Sequence, residues 1–585
     1  MNFKKHPLVK TLLAFGTLLL SSCTGISFAH DSALSSTAPA SSDGDASSAS
    51  STSTSTTTST DGGSSSSSTL TTSAGSSSSS EANSSSRSSS SSSFSSSSSA
   101  NTDGYYKVTG DTTTSAFNYK SIGTANGTDS LPTTGNHNVL VLPIELEGYS
   151  FPSSILSDVN TALNGENGTG YWESLASFYK KSSFGALSLN YIVADKYVTG
   201  LTPAEFFDRS TDDLLASSYI LRLALANYKS KTGDKCTQFD SEGDGYIDAV
   251  IMIYSCPDVS RSNDIAAIDT ENDLFWAFCY WDYTNDANPS KTSPIGMNYF
   301  WMSYDFLYEG STSPNPDAHT LIHESGHLMG ADDYYCYDTL TSGRNEYTPS
   351  PMGGIAMMDE NVTDHDIFTK LAFDWVKPYV VTGNATLTIN PSETSGDCIL
   401  IPARNTTWNG TAFDEYLLLE LHTPTGLNEL DSKTQYSYST QGYTTAGVRL
   451  LHVDSRVAKV TVDSSGNITN TSYLTGVPSS LPSSATTGCL IPQSNTPSRR
   501  YGEAESKKYN LVSLIQAGHS TNTLQYGENK GDNNNLFKTG SSFTQAAYSS
   551  FFAKGSLLDN GFAFGYKISF DSVSATSATI SFQAI

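Results

Sequence analysis

The chain is short of charge, and above all of positive charge. Of 585 residues only 15% are charged, 32 Lys and Arg stand against 58 Asp and Glu, and the formal charge is −26. That deficit argues against a nucleic-acid binder, which needs a basic face to displace the counterions of phosphate. It equally disfavours docking by charge onto anionic lipid. Cysteine is scarce too: there are seven, none in a CxxC pair, so no Cys-based zinc ribbon is indicated. Neither a GxSxG nucleophile elbow nor a GxxxxGK[ST] phosphate loop is present. No internal repeat is visible. Acidic pairs such as Asp414/Glu415 imitate a glycosidase dyad, but neighbouring acids are common on solvated faces.

What is present begins with a leader. Lys4, Lys5 and Lys10 precede an apolar run over 12–20 that is too short to span a bilayer, the pattern of a secretory signal. It ends in Leu20-Ser21-Ser22-Cys23, which resembles the bacterial lipobox, whose Cys is lipidated and becomes the mature N-terminus. Several acyl chains on one Cys hold where a single chain would not. The competing reading is cleavage after Ala29 behind Ser27-Phe28, which would release a soluble protein. From 31 to 102 the chain is nearly all Ser, Thr, Ala and Gly and has nothing to bury. The expectation is a disordered stalk with an r.m.s. span of about 45–50 Å. A low-complexity expansion without a defined geometry is the alternative. Six cysteines remain beyond Cys23, namely Cys236, Cys256, Cys279, Cys336, Cys398 and Cys489. Export permits disulfides, the sequence does not choose among pairings, and buried free thiols are an equal reading.

Mixed α/β texture follows. Residues 138–146 read as a buried strand, 173–181 as a short helix, and 187–193 as a half-buried strand with alternating apolar positions. A longer amphipathic helix is expected over 212–229 and a second buried strand over 246–254. Helices are expected over 317–329 and 364–376, the latter starting with Thr363-x-x-Asp366 in capping-box style and stopping at Pro378. Beyond Pro378 short strand-like runs alternate with Gly, Pro, Asn and Ser turns, at 385–389, 416–421, 447–453, 509–516 and 578–582. That texture predicts an all-β domain, a sandwich.

The segment from His319 to Tyr335 holds the strongest signal. It contains HExxH, and on a helix His323 and His327, at i and i+4, share a face and can grip one cation. Neutral imidazoles suit Zn²⁺, and two of them leave room for a third ligand and a water. Glu324 stands beside them as the candidate general base. Gly330 is where the helix must break, a place for a residue that tolerates φ > 0. Asp333 follows at a spacing from which a third ligand can fold back. His319 lies one turn before His323 on the same face, but one ion cannot take three ligands spread over two helical turns. It reads as a supporting or exposed residue.

HExxHxxGxxD is the extended motif of metzincin-like peptidases with Asp as third ligand, and the wider sequence resembles the immune inhibitor A family of secreted bacterial metallopeptidases. The resemblance runs from about 138 to 454, through Ser177-Phe-Tyr-Lys-Lys-Ser-Ser-Phe-Gly185, Leu274-Phe-Trp-Ala277, Met357-Met358-Asp359, Lys370 to Pro378, and Gly426-Leu-Asn428. It implies an α+β metzincin-like zinc peptidase domain, with a mixed sheet and an active-site helix, followed by an all-β sandwich-like domain behind a disordered Ser-rich stalk. It implies His323, His327 and Asp333 as zinc ligands, Glu324 as general base, and a methionine floor beneath the metal, for which Met358 is chosen over Met357 and Met352. Tyr335 matches an aromatic of the family, for packing or for catalysis. Many members carry a sizeable latency segment, whereas here only 103–137 separate the stalk from the first strand. The expected division is signal peptide 1–22, lipidated Cys23 with linker 23–102, catalytic domain 103–378 and β domain 379–585.

A second cation candidate is the loop carrying Asp240, Glu242, Asp244 and Asp248, with Gly245 at a sharp turn. Carboxylates at alternate positions suit Ca²⁺, although Ile251 stands where an EF-hand has Glu. The alternative is an acidic turn before a strand. Taken together, the expectation is a lipid-anchored endopeptidase on the extracellular face of a bacterial envelope, using Zn²⁺ and a stabilising Ca²⁺ against extracellular proteins or peptides. Its rivals are an adhesion or binding lipoprotein with the site unused, and a metal-dependent hydrolase of an ester or sugar amide.

Overall fold

The apolar run around Val139 forms the centre of a sheet in the computed structural model. The model describes residues 104–585 except 110–116, 127–129, 167–169, 211–214, 271–273, 283–287, 311–314, 337–347, 349, 360, 437–438, 463–467, 474–488, 492–493, 497–508 and 525–529. The leader, Cys23 and the stalk lie outside the described residues. Strand order in this sheet is Leu187–Val193, Gly135–Glu145, Val250–Tyr254, Asn298–Ser303 and Phe278–Trp281. The first four are mutually parallel and the last is antiparallel to its neighbour. Side chains alternate between two cores, because successive residues of a strand point to opposite faces. Val139, Val141, Ile251, Ile253, Phe300 and Met302 face one core. Leu140, Leu142, Val250, Met252, Tyr299 and Trp301 face the other. The helix His319–Leu328 lies in the first core through Leu321, Ile322 and Leu328. The helix Ala216–Thr232 closes the second through Ile220, Leu221, Ala224 and Leu225, and ends at Gly233 with φ +74°.

Two further sheets dominate the second half. Six strands run in the order Tyr105–Lys107, Tyr379–Val381, Ile399–Pro402, Glu415–His422, Gly447–Asp454 and Val512–Leu514. Four antiparallel strands run in the order Ala385–Ile389, Ala578–Ala584, Tyr566–Val573 and Ser542–Thr544. The six-stranded sheet is buried on both faces. Leu417, Leu419 and Leu450 share a core with Ile568, Phe570 and Ile580 of the four-stranded sheet. Tyr416, Leu418 and Leu451 instead join the core of the HExxH helix. That core therefore continues across position 378, and the strand Tyr105–Lys107, from before the first sheet, pairs with Tyr379–Val381.

Several element boundaries move from the sequence reading. The strand expected over 246–254 is two, Tyr246–Ile247 and Val250–Tyr254, because Asp248 turns aside to accept the Ser241 N–H at 3.1 Å. The helix expected over 364–376 is only Ile367–Ala372. Its cap is Asp366, which accepts the N–H groups of Phe368 and Thr369, while Thr363 donates its hydroxyl to Asn428. It stops at Asp374, a non-glycine residue at φ +63°, well before Pro378. The strand-rich half also contains short helices, Ser392–Ser395 and Glu429–Lys433. Cys236, Cys256, Cys279 and Cys398 are buried free thiols, and Cys336 is buried as well. Among the described residues, no helix is long and apolar enough to cross a membrane.

Candidate metal centre

The helix His319–Leu328 presents His323 and His327 one turn apart. Just beyond it the chain reverses: Gly330 has φ +100°, and the Ala331 N–H bonds back to the Gly326 carbonyl at 3.0 Å. A Cβ at Gly330 would also come 2.6 Å from Tyr119 Cβ, so both backbone angle and space demand glycine there. This reversal returns Asp333 to the two rings. His323 Nε2 lies 2.9 Å and His327 Nε2 3.3 Å from Asp333 Oδ1, and the two Nε2 atoms are 3.2 Å apart.

Both rings are aimed by the backbone. His323 Nδ1 meets the Met357 carbonyl and His327 Nδ1 the Ala331 carbonyl, each at 2.8 Å. A carbonyl can only accept, so each Nδ1 carries a proton, and Nε2, the nitrogen facing Asp333, is the one each ring would offer an ion once its own proton leaves. Burial alone would raise the Asp333 carboxyl, but the two imidazoles outweigh it and hold it well below the usual carboxylate range. Burial alone would strip protons from the rings. Asp333 outweighs that as well, raising His323 and pushing His327 up to about 10. The pocket is thus electrostatically built to hold positive charge among three convergent donors. Two imidazole nitrogens and one carboxylate oxygen, all within 4.8 Å, fit the donor set of a zinc ion with a position left open.

Glu324 is 3% exposed and on the same helix, and its charge adds to the upward shift of both rings. The Cys279 thiol, on the antiparallel edge strand, donates to the Glu324 carbonyl at 3.2 Å; burial and then the Glu324 charge keep that thiol protonated. Met358 lies beneath the helix: a Cβ added at Gly326 would come 2.6 Å from its Sδ. Met357 contributes its carbonyl to His323, and Met352 is buried in the same core. Tyr335 is buried, while Tyr334 ties the turn to the floor by donating its N–H to the Met358 carbonyl at 2.6 Å. His319 does not join the ligands. Its ring packs 4.7 Å from that of Tyr436, and burial, then His323, depress it to about 3.

The loop from 240 to 248 behaves differently. Asp240 accepts the N–H groups of Asp244 and Gly245 at 3.0 and 2.9 Å, and Asp244 that of Tyr246 at 2.9 Å. Asp248 accepts from Ser241, and burial, then the charge of Glu242, push it up to about 8. Glu242 pairs with Lys120 at 3.1 Å. Asp240, Asp244 and Asp248 thus bond the loop's own backbone while Glu242 reaches Lys120, and no three of these carboxylates are among the groups of convergent ligand atoms found in the described residues.

Sequence reading missed two things. The carbonyls of Met357 and Ala331 have no side-chain signature. A second convergent trio, Glu415, His452 and Asp559, is assembled from three distant segments, and only the His452-x-Asp454 alternation on one strand hints at it. Set beside known proteins, the chain matches no family model and no curated protein.

Proposed function

We propose that this chain is a zinc-dependent endopeptidase of the immune inhibitor A type, a metzincin-like catalytic half with a β-sandwich-like domain, lipid-anchored at Cys23 on the extracellular face of a bacterial envelope. The supporting observation is the convergence of His323, His327 and Asp333 with both Nδ1 atoms already committed to carbonyls. Bound zinc supplies a Lewis acid that polarises a peptide carbonyl and acidifies a water. His323 and His327 would hold the ion through Nε2, and Asp333 would offset part of its charge. Glu324, poised next to both rings, takes the proton of the attacking water and passes it to the leaving amine. Met358 supports the helix from below.

The reading predicts casein turnover that a chelator stops and added zinc restores, without turnover of esters or sugar amides. Casein cleavage indifferent to chelation, or chelator-sensitive turnover confined to an ester or sugar amide, would overturn it.

A further inference from the structure

Two buried carboxylates and an imidazole also meet at one end of the six-stranded sheet. In the register of the strands Glu415–His422 and Gly447–Asp454, Glu415 stands opposite Asp454 and Leu417 opposite His452. Paired and alternate residues share a face. Glu415, His452 and Asp454 therefore lie on the face of Leu417, towards the core shared with the four-stranded sheet. The loop at Asp559 closes over them. Glu415 accepts the backbone N–H groups of Asp559 and Asn560, each at 2.6 Å, and Glu415 Oε1 lies 2.9 Å from His452 Nε2. Glu415, His452 and Asp559 are 2%, 3% and 3% exposed, and one ligand atom from each falls within 4.8 Å of the others.

Hydrogen bonds alone do not account for this arrangement. Asp559 Oδ1 is buried and accepts none, a costly state for a carboxylate oxygen. Arg456 grips Asp454 through Nε and Nη2 at 2.7 and 2.8 Å, and Lys554 Nζ donates to the Asp559 backbone carbonyl at 2.7 Å. With bonds of about 2.1 Å, the 2.9 Å between His452 Nε2 and Glu415 Oε1 would subtend roughly 90° at one ion, the angle between adjacent ligands of a six-coordinate ion.

We propose that Glu415, His452 and Asp559 form a second divalent-cation site. Two carboxylate oxygens and one imidazole nitrogen suit a first-row ion such as zinc or manganese better than calcium or magnesium, which prefer oxygen alone. Closed to solvent, the site is structural: the ion clips the 559–560 loop onto the sheet. The proposal does not depend on peptidase activity.

The test uses the full chain with the first site disabled by His323→Ala/His327→Ala, which leaves the second untouched. After loading and dialysis this variant is expected to retain about one zinc or manganese per chain and to melt higher with the ion than without it. Adding Asp559→Asn or His452→Gln is expected to remove both the ion and the shift. If the double-alanine protein is folded by circular dichroism yet binds neither metal and its melting does not move, the proposal fails. It fails equally if the ion persists after both Asp559→Asn and His452→Gln. Should those additions not fold, the loading and melting of the double-alanine protein decide alone.

Discussion

Two main-chain carbonyls, Met357 and Ala331, decide where the imidazoles of the motif point. Substitution cannot delete a carbonyl, so Asp333 is the side chain through which the site is best probed. Asp333→Ala is expected to weaken zinc binding by more than about tenfold, measured by competition with a chromophoric chelator; unchanged affinity would remove Asp333 from the ligand set. A different residue contributes to acid sensitivity. His365 is buried among the rings of Phe178, Tyr179, Phe373 and Trp375, neither ring nitrogen has a hydrogen-bond partner, and burial, then Lys370, holds its pKa well below the ordinary value. Below about pH 6.5 the unfolded ring takes a proton that the folded ring refuses, so stability is lost as pH falls. Between pH 6.5 and 5 the wild type should lose up to about 1.4 kcal/mol per pH unit more than His365→Phe in denaturant melts. Parallel curves would show that the ring does not titrate between the two states.

The motif helix depends on two glycines for different reasons. Gly330 supplies the left-handed turn that returns Asp333, whereas Gly326 leaves room for Met358. Gly326→Ala should cost roughly 1–3 kcal/mol by overpacking. Combined with Met358→Ala it should cost less than the sum of the two, since the added methyl and the vacated thioether occupy the same space. Strict additivity would place Met358 elsewhere. The helix, its glycine break and the alternating strands were legible because periodicity and φ > 0 requirements are local. Local pattern misled where tertiary partners intervened: Thr363 bonds Asn428 instead of capping, and Asp374 adopts φ +63° to end a helix expected to run to Val376. In the 240–248 loop, Asp240, Asp244 and Asp248 bond the loop's own backbone and Glu242 reaches Lys120, partners that the acidic rhythm does not specify. The trio at Glu415, His452 and Asp559 spans three segments that only the sheet register and a long return of the chain bring together.

Over the whole molecule, one apolar core links residues from Val139 to Leu514, and the edge strand Tyr105–Lys107 joins the sheet of the second half. Removing residues 1–103 should therefore leave the melting temperature unchanged, whereas removing 1–109 should lower it; equal values would make the edge strand dispensable. The anchor is tested by fractionation, where Cys23→Ala is expected to move the protein out of the membrane fraction, and persistence there would contradict lipidation at Cys23. The central claim is most directly tested by casein cleavage with zinc-loaded wild type and Glu324→Gln side by side. A loss of about 10²-fold or more at unchanged zinc content is predicted, as befits removal of a general base. Equal rates in the two proteins would contradict the account.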